Sequence, residues 1–236
     1  MELLKTIRRN AAFLRAYVAL TRDPGQLGVV FSLRDALDDP KVIGEVATAL
    51  RRDPHLARAL DERPRLPPLA LEELARLPAG SLGRTFADEM RARGLDPAAL
   101  PRMEAHDEIG YFPAHLYETH DLWHTVTGFE TDVAGELGLQ AFYAAQLGGP
   151  LPYAILSAGL LNTVISGMDD RDRRLDAVGR GWLLGRRARP LFGVRWAEHL
   201  ARPLSEVRAS LGLPEEPQRV SFDLAPDAGA RPIVAA

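Results

Sequence analysis

The chain has 236 residues, of which 46% are hydrophobic and 26% charged, and its formal net charge is −3. This length supports one hydrophobic core or two small ones, and the composition is that of an ordinary globular protein. The absence of cysteine excludes disulfides, thiolate metal sites and cysteine nucleophiles, and the charge gives no global attraction to nucleic acid.

Apolar residues recur with the spacing of amphipathic helices almost throughout, and the alternation expected of strands is rare. We therefore predict an all-α fold, with a single compact multi-helix domain over residues 1–214 and an extended or disordered tail over 215–236. The tail is rich in Pro, Ala and charge, a composition typical of unfolded segments. The predicted helices cover residues 1–20, 25–37, 41–51, 54–61, 70–76, 81–94, 104–127, 131–147, 151–166, 172–189 and 203–211.

Local signals define several boundaries within this pattern. The Pro-rich segment 61–86 is predicted as a joint around the short helix at 70–76. Ser81 and Gly94 are suited to cap the two ends of the helix that follows. Residues 95–101 are predicted as a turn or a short helix.

No segment has the pattern of a single membrane span. The most apolar run, 151–167, has 17 residues that include four Ser, Thr or Asn side chains, whereas a span needs about 20 predominantly apolar residues. The start of the chain lacks the continuous apolar core of a secretory signal. We expect a soluble or peripheral protein.

The stretch 118–146 carries a candidate metal motif. His120, Asp121 and His124 fall within five positions, and Glu136 follows twelve positions later. On a helix, His120 and His124 lie one turn apart, and Asp121 lies about 100° round from His120. These three side chains could converge on one ion.

Glu136 can join them only if the chain turns back, because on a straight helix it would lie about 18 Å from His124. We predict that Gly128 ends one helix and that Thr131 caps the next, which places Glu136 in its second turn. The motif would then occupy an antiparallel helix pair. Two glycines that flank the glutamate are predicted to permit close approach of these two helices, Gly135 and Gly138.

Two imidazoles and two carboxylates suit a divalent metal ion: zinc, and also manganese, iron or cobalt. A tetrahedron of all four side chains would be closed. A loose carboxylate or a higher coordination number would admit water or substrate to the metal.

Other interpretations of this histidine pattern are available. A His-x-x-x-His pair is common on solvated helix faces. Zincin proteases need Glu after the first His, where this chain has Asp121. His106 and Asp107 have the His-Asp pair of a phosphohydrolase dyad but the wrong spacing to a second pair, and we expect them at the surface or behind the ligands.

The pattern H-D-x-x-H-x11-E, formed by His120, Asp121, His124 and Glu136, resembles the signature of the ubiquinone (coenzyme Q) biosynthesis protein Coq-four family. Three longer segments are similar to family segments: 62–90 with its Leu-Pro-x-Gly-Ser-Leu-Gly motif, 128–150, and 181–213. The resemblance is strong over residues 60–213, weaker over 10–59, and absent from the tail.

The resemblance implies an all-helical protein with a divalent metal at the motif, acting on polyprenylated benzoquinone precursors. It implies removal of the ring carboxylate with hydroxylation at the same carbon. It also implies a membrane-associated complex with other quinone-biosynthesis enzymes, hence a cytoplasmic location, peripheral at the inner membrane face. A homodimer is a possible assembly.

Two hypotheses follow from the motif and the resemblance together. In the first, the protein is a metal-dependent decarboxylase or hydroxylase in which the four motif residues bind the catalytic ion. Thr127, Asp132 and Gln140 would then orient the ligands from behind. In the second, it is a non-catalytic polyprenyl-lipid-binding scaffold that organises the pathway enzymes.

A polyprenylated substrate needs an apolar binding surface, and two predicted helices, 131–147 and 151–166, could supply it. The candidate substrate-binding residues are Phe142, Tyr143, Tyr153, Leu156 and Leu160. An ordinary helix–helix core would have the same spacing. Eight arginines between 171 and 195 could meet an acidic head group, or form a solvated face.

Overall fold

Helices dominate this computed structural model, which describes residues 2–37, 39–97 and 102–216. No β-strand occurs in those ranges, so the prediction of an all-α fold is confirmed. The α-helices are α1 (Glu2–Arg22), α2 (Leu27–Leu37), α3 (Pro40–Leu50), α4 (Pro54–Glu62), α5 (Leu71–Leu74), α6 (Leu82–Arg93), α7 (Glu108–Thr127), α8 (Val133–Leu147), α9 (Pro150–Ser166), α10 (Arg171–Arg187) and α11 (Leu204–Ser210).

The predicted caps of α6, Ser81 and Gly94, are confirmed. The Ser81 side chain accepts a hydrogen bond from the Arg84 N–H at 3.3 Å, and Gly94 ends α6 with φ 68°. α7 begins four residues later than predicted, because Asp107 accepts from the Gly110 N–H at 2.8 Å and acts as the cap.

Two short helices were not predicted, and two predicted segments lie partly outside the described residues. The sequence pattern does not predict the short 3₁₀ helices Met168–Asp170 and Trp196–His199. Residues 98–101 of the predicted turn at 95–101 lie outside the described ranges, as do residues 217–236 of the predicted tail.

The main hydrophobic core surrounds α7 and α8. Its fully buried aromatic side chains include Phe86, Tyr111, Trp123, Phe129, Phe142, Phe192 and Trp196. A smaller cluster lies where α1 and α2 meet α9, around Leu20, Leu33 and Ile155. The helices that carry the motif are therefore central elements, and their positions are fixed by packing on several sides.

α8 and α10 approach each other closely through glycines. A Cβ atom on Gly181 would lie 1.9 Å from the carbonyl oxygen of Gly138, and one on Gly185 would lie 2.8 Å from the carbonyl oxygen of Phe142. The prediction that Gly138 serves the contact between α7 and α8 is therefore wrong: it faces the Phe129 ring and α10. Gly135 instead packs on the backbone of Glu130.

We expect Gly181→Ala to destabilise the fold by about 1–3 kcal/mol, because the methyl group would force α8 and α10 apart. Gly179→Ala on the same helix is the matched control, since nothing lies within 4 Å of its Cβ position. That control should be neutral or stabilising by about 0.5–1 kcal/mol. Urea unfolding of both variants measures the difference, and equal stabilities would contradict the close packing.

His115 joins α7 to two distant loops. Its Nδ1 donates to the carbonyl oxygen of Pro64 at 3.0 Å, and its Nε2 accepts from the Gly193 N–H at 3.0 Å. This arrangement requires the neutral ring, because a proton on Nε2 would oppose the Gly193 donor. Burial lowers the pKa of His115 to about 4 and outweighs the opposing effect of the Pro64 hydrogen bond.

The free energy of unfolding should therefore fall as the pH drops from about 6.5 to about 4, because only the unfolded state takes up this proton there. The full contribution, up to about 3 kcal/mol, is present above that window. His115→Asn should have a shallower pH dependence in the window, whereas the exposed His55→Asn should not. Identical pH profiles for the wild type and His115→Asn would overturn this assignment.

Among the described residues, no single helix is long and apolar enough to span a membrane. The α9 helix passes that test only together with the following segment, Met168–Arg187, across a bend of 116°.

Candidate metal centre

α7 ends where the metal motif needs the chain to turn. Gly128 follows the last helical residue with φ 73°, a left-handed conformation that favours glycine. Its N–H donates to the carbonyl oxygen of His124 at 2.8 Å. The prediction that Gly128 ends this helix is confirmed.

α8 begins two residues later than predicted, at Val133. Asp132, not Thr131, is the cap, and its carboxylate accepts from the Gly135 N–H at 2.9 Å. Glu136 therefore lies in the first turn of α8 rather than the second. An acidic side chain there also interacts favourably with the helix dipole.

The return of the chain brings three of the four predicted ligands together. His124 Nε2 lies 3.1 Å from Glu136 Oε1, His120 Nε2 lies 3.8 Å from Glu136 Oε2, and the two Nε2 atoms are 3.3 Å apart. Metal–ligand bonds of about 2.0–2.1 Å at tetrahedral angles would place ligand atoms about 3.3–3.4 Å apart. The triad therefore has nearly the spacing that a small divalent ion requires.

Backbone contacts fix the imidazole of His124 in a metal-binding state. The ring is 2% exposed, and its Nδ1 lies 3.0 Å from the carbonyl oxygen of Phe129. A carbonyl can only accept, so Nδ1 carries a proton, and in the neutral ring Nε2 is then the atom whose lone pair faces the triad. This arrangement is common for metal-binding histidines.

His120 has a side-chain partner instead. Its Nδ1 lies 3.3 Å from the hydroxyl of Tyr143, and the two rings stack with centroids 6.0 Å apart and an interplanar angle of 12°. Tyr143 also stacks on Trp123, with centroids 4.4 Å apart. Tyr143 is one of the residues predicted to line a lipid-binding wall, but its spacing of two helical turns from Glu136 places it on the same face of α8 as that ligand.

Charges around the triad favour an ionised glutamate. Burial raises the pKa of Glu136, but hydrogen bonding and charge from His120 and His124 outweigh it and lower the pKa well below the ordinary range. Burial lowers the pKa of His120, yet the interaction with Glu136 raises it overall, with a smaller effect from Asp121. The carboxylate is thus available as an anionic ligand.

Asp121 lies outside the group of converging ligand atoms. It lines a neighbouring cleft of about 250 Å³, together with Leu66, Pro68 and Tyr117. The rotation of about 100° from His120 puts Asp121 in line with Tyr117, which lines the same cleft, and with Thr125. Thr125 faces α6, where its hydroxyl donates to Glu89 at 2.5 Å.

The residues predicted to support the ligands have different positions. Asp132 caps the helix of Glu136, and Thr127 is buried with its hydroxyl donating to the carbonyl oxygen of Trp123 at 2.6 Å. Gln140 is buried one turn beyond Glu136. These hydrogen bonds do not join Thr127 or Asp132 to the triad. Each of them stabilises the end of a helix instead. His106, by contrast, is a surface residue, with 87% of its side chain exposed.

The predicted substrate-binding residues divide into buried and exposed groups. Phe142 is fully buried and packs edge-on against Trp123, at a centroid distance of 5.8 Å. Tyr153 and Leu160 are 49% and 37% exposed on α9, and Leu156 is half-buried. The structure therefore does not bring these residues into one wall with the triad.

Two arginines that sequence analysis did not single out hold the end of α7. Buried Arg208 donates to the carbonyl oxygen of Val126 at 2.6 Å. Arg180 lies over the Phe129 ring at 4.1 Å and donates to the carbonyl oxygen of Gly128 at 3.5 Å. They satisfy carbonyl groups that a helix end leaves without partners.

Comparison with known proteins finds the same family over nearly the whole chain. The sequence model of the family described as "Coenzyme Q (ubiquinone) biosynthesis protein Coq4" matches residues 3–217. The mitochondrial ubiquinone biosynthesis protein COQ4 of Arthroderma otae is 33% identical over 220 residues, which cover 91% of this chain and 80% of the relative. The COQ4 protein of Yarrowia lipolytica is 30% identical over 195 residues, 80% of this chain and 73% of the relative.

The fold is also found in a solved structure. A crystal structure from Nostoc punctiforme PCC 73102, described as that of a ubiquinone biosynthesis protein, superposes with a TM-score of 0.76 and 31% sequence identity. The match covers 86% of this chain and 97% of the other. The protein described here therefore belongs to the Coq4 family of ubiquinone (coenzyme Q) biosynthesis proteins.

Proposed function

We propose that this protein is a metal-dependent enzyme that replaces the ring carboxylate of a polyprenylated hydroxybenzoate with a hydroxyl group. Membership of the ubiquinone biosynthesis family supports the pathway. The observation that carries the metal-dependent part is the convergence of His120, His124 and Glu136, whose ligand atoms lie within 4.8 Å of one another.

The triad has features of a catalytic rather than a purely structural site. Three protein ligands leave at least one coordination position for water or substrate. His124 is buried, whereas the side chains of His120 and Glu136 are each 31% exposed, so a ligand can approach from their side. A zinc, manganese, iron or cobalt ion held there would supply positive charge to bind an anionic oxygen and stabilise charge as the carbon–carbon bond breaks. Replacing the carboxylate with a hydroxyl releases carbon dioxide and needs one oxygen atom from an external oxidant.

A lipid-binding scaffold is the second candidate, and the surface of α9 favours it. Tyr153, Leu160 and Val164 are 49%, 37% and 69% exposed, and their spacing places them on one helical face. Apolar patches of this kind mark contacts with membranes or partners. We propose that this face meets the polyprenyl chain at the inner membrane face, where other quinone-biosynthesis enzymes would assemble. If the protein is a scaffold, the ion would stabilise the fold and would not take part in a reaction.

His124→Ala should lose bound metal, because it removes the ligand whose Nε2 is fixed by the Phe129 carbonyl. Elemental analysis after dialysis measures the loss. The exposed His106→Ala should retain wild-type metal content, and so should Asp121→Asn, because Asp121 lies outside the converging ligand atoms. Full metal content in folded His124→Ala would contradict the proposed site.

The metal-loaded protein should release carbon dioxide from a carboxyl-labelled prenylated hydroxybenzoate, and His124→Ala should not. His106→Ala serves as the active control. Stoichiometric binding of this substrate without release of carbon dioxide, in air and with added oxidants, would contradict the enzymatic function and favour the scaffold function.

A further inference from the structure

Among the described residues, the hydroxyl of Tyr143 is the side-chain partner of His120 Nδ1, whereas the Nδ1 of His124 meets a backbone carbonyl. The two histidines thus differ in how they are held. His124 uses the Phe129 carbonyl, which no substitution removes. His120 uses a phenol hydroxyl at 3.3 Å, which a substitution can delete.

The orientation of His120 determines which of its atoms is free for an ion. Its Nε2 points toward Glu136 and His124, at 3.8 Å and 3.3 Å. For Nε2 to bind a metal through its lone pair, the proton of the neutral ring must lie on Nδ1. Nδ1 then donates to the Tyr143 oxygen, as the second hydrogen bond of a metal-binding histidine usually does.

Ring stacking restrains the same imidazole. The Tyr143 ring stacks on both Trp123 and His120, nearly parallel to each, with an interplanar angle of 12° in each pair. Tyr143 is only 5% exposed and Trp123 is fully buried, so the stack has little freedom to shift. His120, which is the more exposed histidine of the triad, gains its fixed plane from this stack.

We propose that Tyr143 is a positioning residue that sets the tautomer and ring plane of His120 for metal binding. This role rests on the proposed metal site and extends it to a residue that touches the ligand and not the ion. It also replaces the predicted role of Tyr143 in a lipid-binding wall.

The test is the affinity of the purified protein for Zn²⁺, measured by competition with a chromophoric chelator. Tyr143→Phe keeps the ring but removes the acceptor, and it should weaken binding about 10–100-fold. Tyr111→Phe is the matched control, because it is a fully buried tyrosine on α7 whose hydroxyl has no hydrogen-bond partner among the described residues. Its affinity should equal that of the wild type.

Two further readouts separate positioning from general damage to the fold. The d–d absorption of bound Co²⁺ should change in Tyr143→Phe and stay unchanged in Tyr111→Phe. In the background of His120→Ala, adding Tyr143→Phe should cause no further loss of affinity, because the residue that Tyr143 positions is gone.

The outcomes distinguish the two proposals. Wild-type protein that binds no metal would refute the metal site itself. Wild-type protein that binds Zn²⁺ with an affinity that Tyr143→Phe leaves unchanged would overturn the role of Tyr143 alone. An equal loss with and without His120 would also overturn it, because the effect would then not pass through that ring.

Discussion

The candidate site depends on one reversal of the chain, between the end of α7 and the start of α8. Gly128 adopts φ 73°, and His124 donates back to the Phe129 carbonyl at 3.0 Å. A side chain on Gly135 would meet the Glu130 carbonyl oxygen at 1.9 Å, so the turn closes only with glycine there. One short turn thus fixes both the position of Glu136 and the tautomer of His124.

Packing on the outer side of this turn makes the site rigid. α10 lies against α8 through Gly138 and Gly181, with no room for a methyl group. Arg208, buried at the end of α7, donates to the Val126 carbonyl at 2.6 Å. Each helix of the motif is therefore held by a neighbouring element, and the triad's exposed side chains are those of His120 and Glu136. An ion bound there would require little rearrangement of these ligands, which favours affinity.

Sequence reasoning predicted the elements better than the contacts between them. The helical period and the glycine at 128 were sufficient for α7, α8 and the return of Glu136. The period could not decide which way Asp121 faces, because a rotation of about 100° is compatible with either side of a helix. Only packing against α6 and the Pro-rich segment places it in the neighbouring cleft. Likewise, Gly138 signals a close approach, but the sequence does not say that the partner is α10.

Diffraction from crystals soaked in Zn²⁺, with data collected on both sides of the zinc absorption edge, tests the central claim most directly. The account predicts one anomalous peak within bonding distance, about 2.0–2.2 Å, of Nε2 of His120, Nε2 of His124 and a carboxylate oxygen of Glu136. A peak elsewhere, or none at the triad in crystals that have taken up zinc, would contradict it.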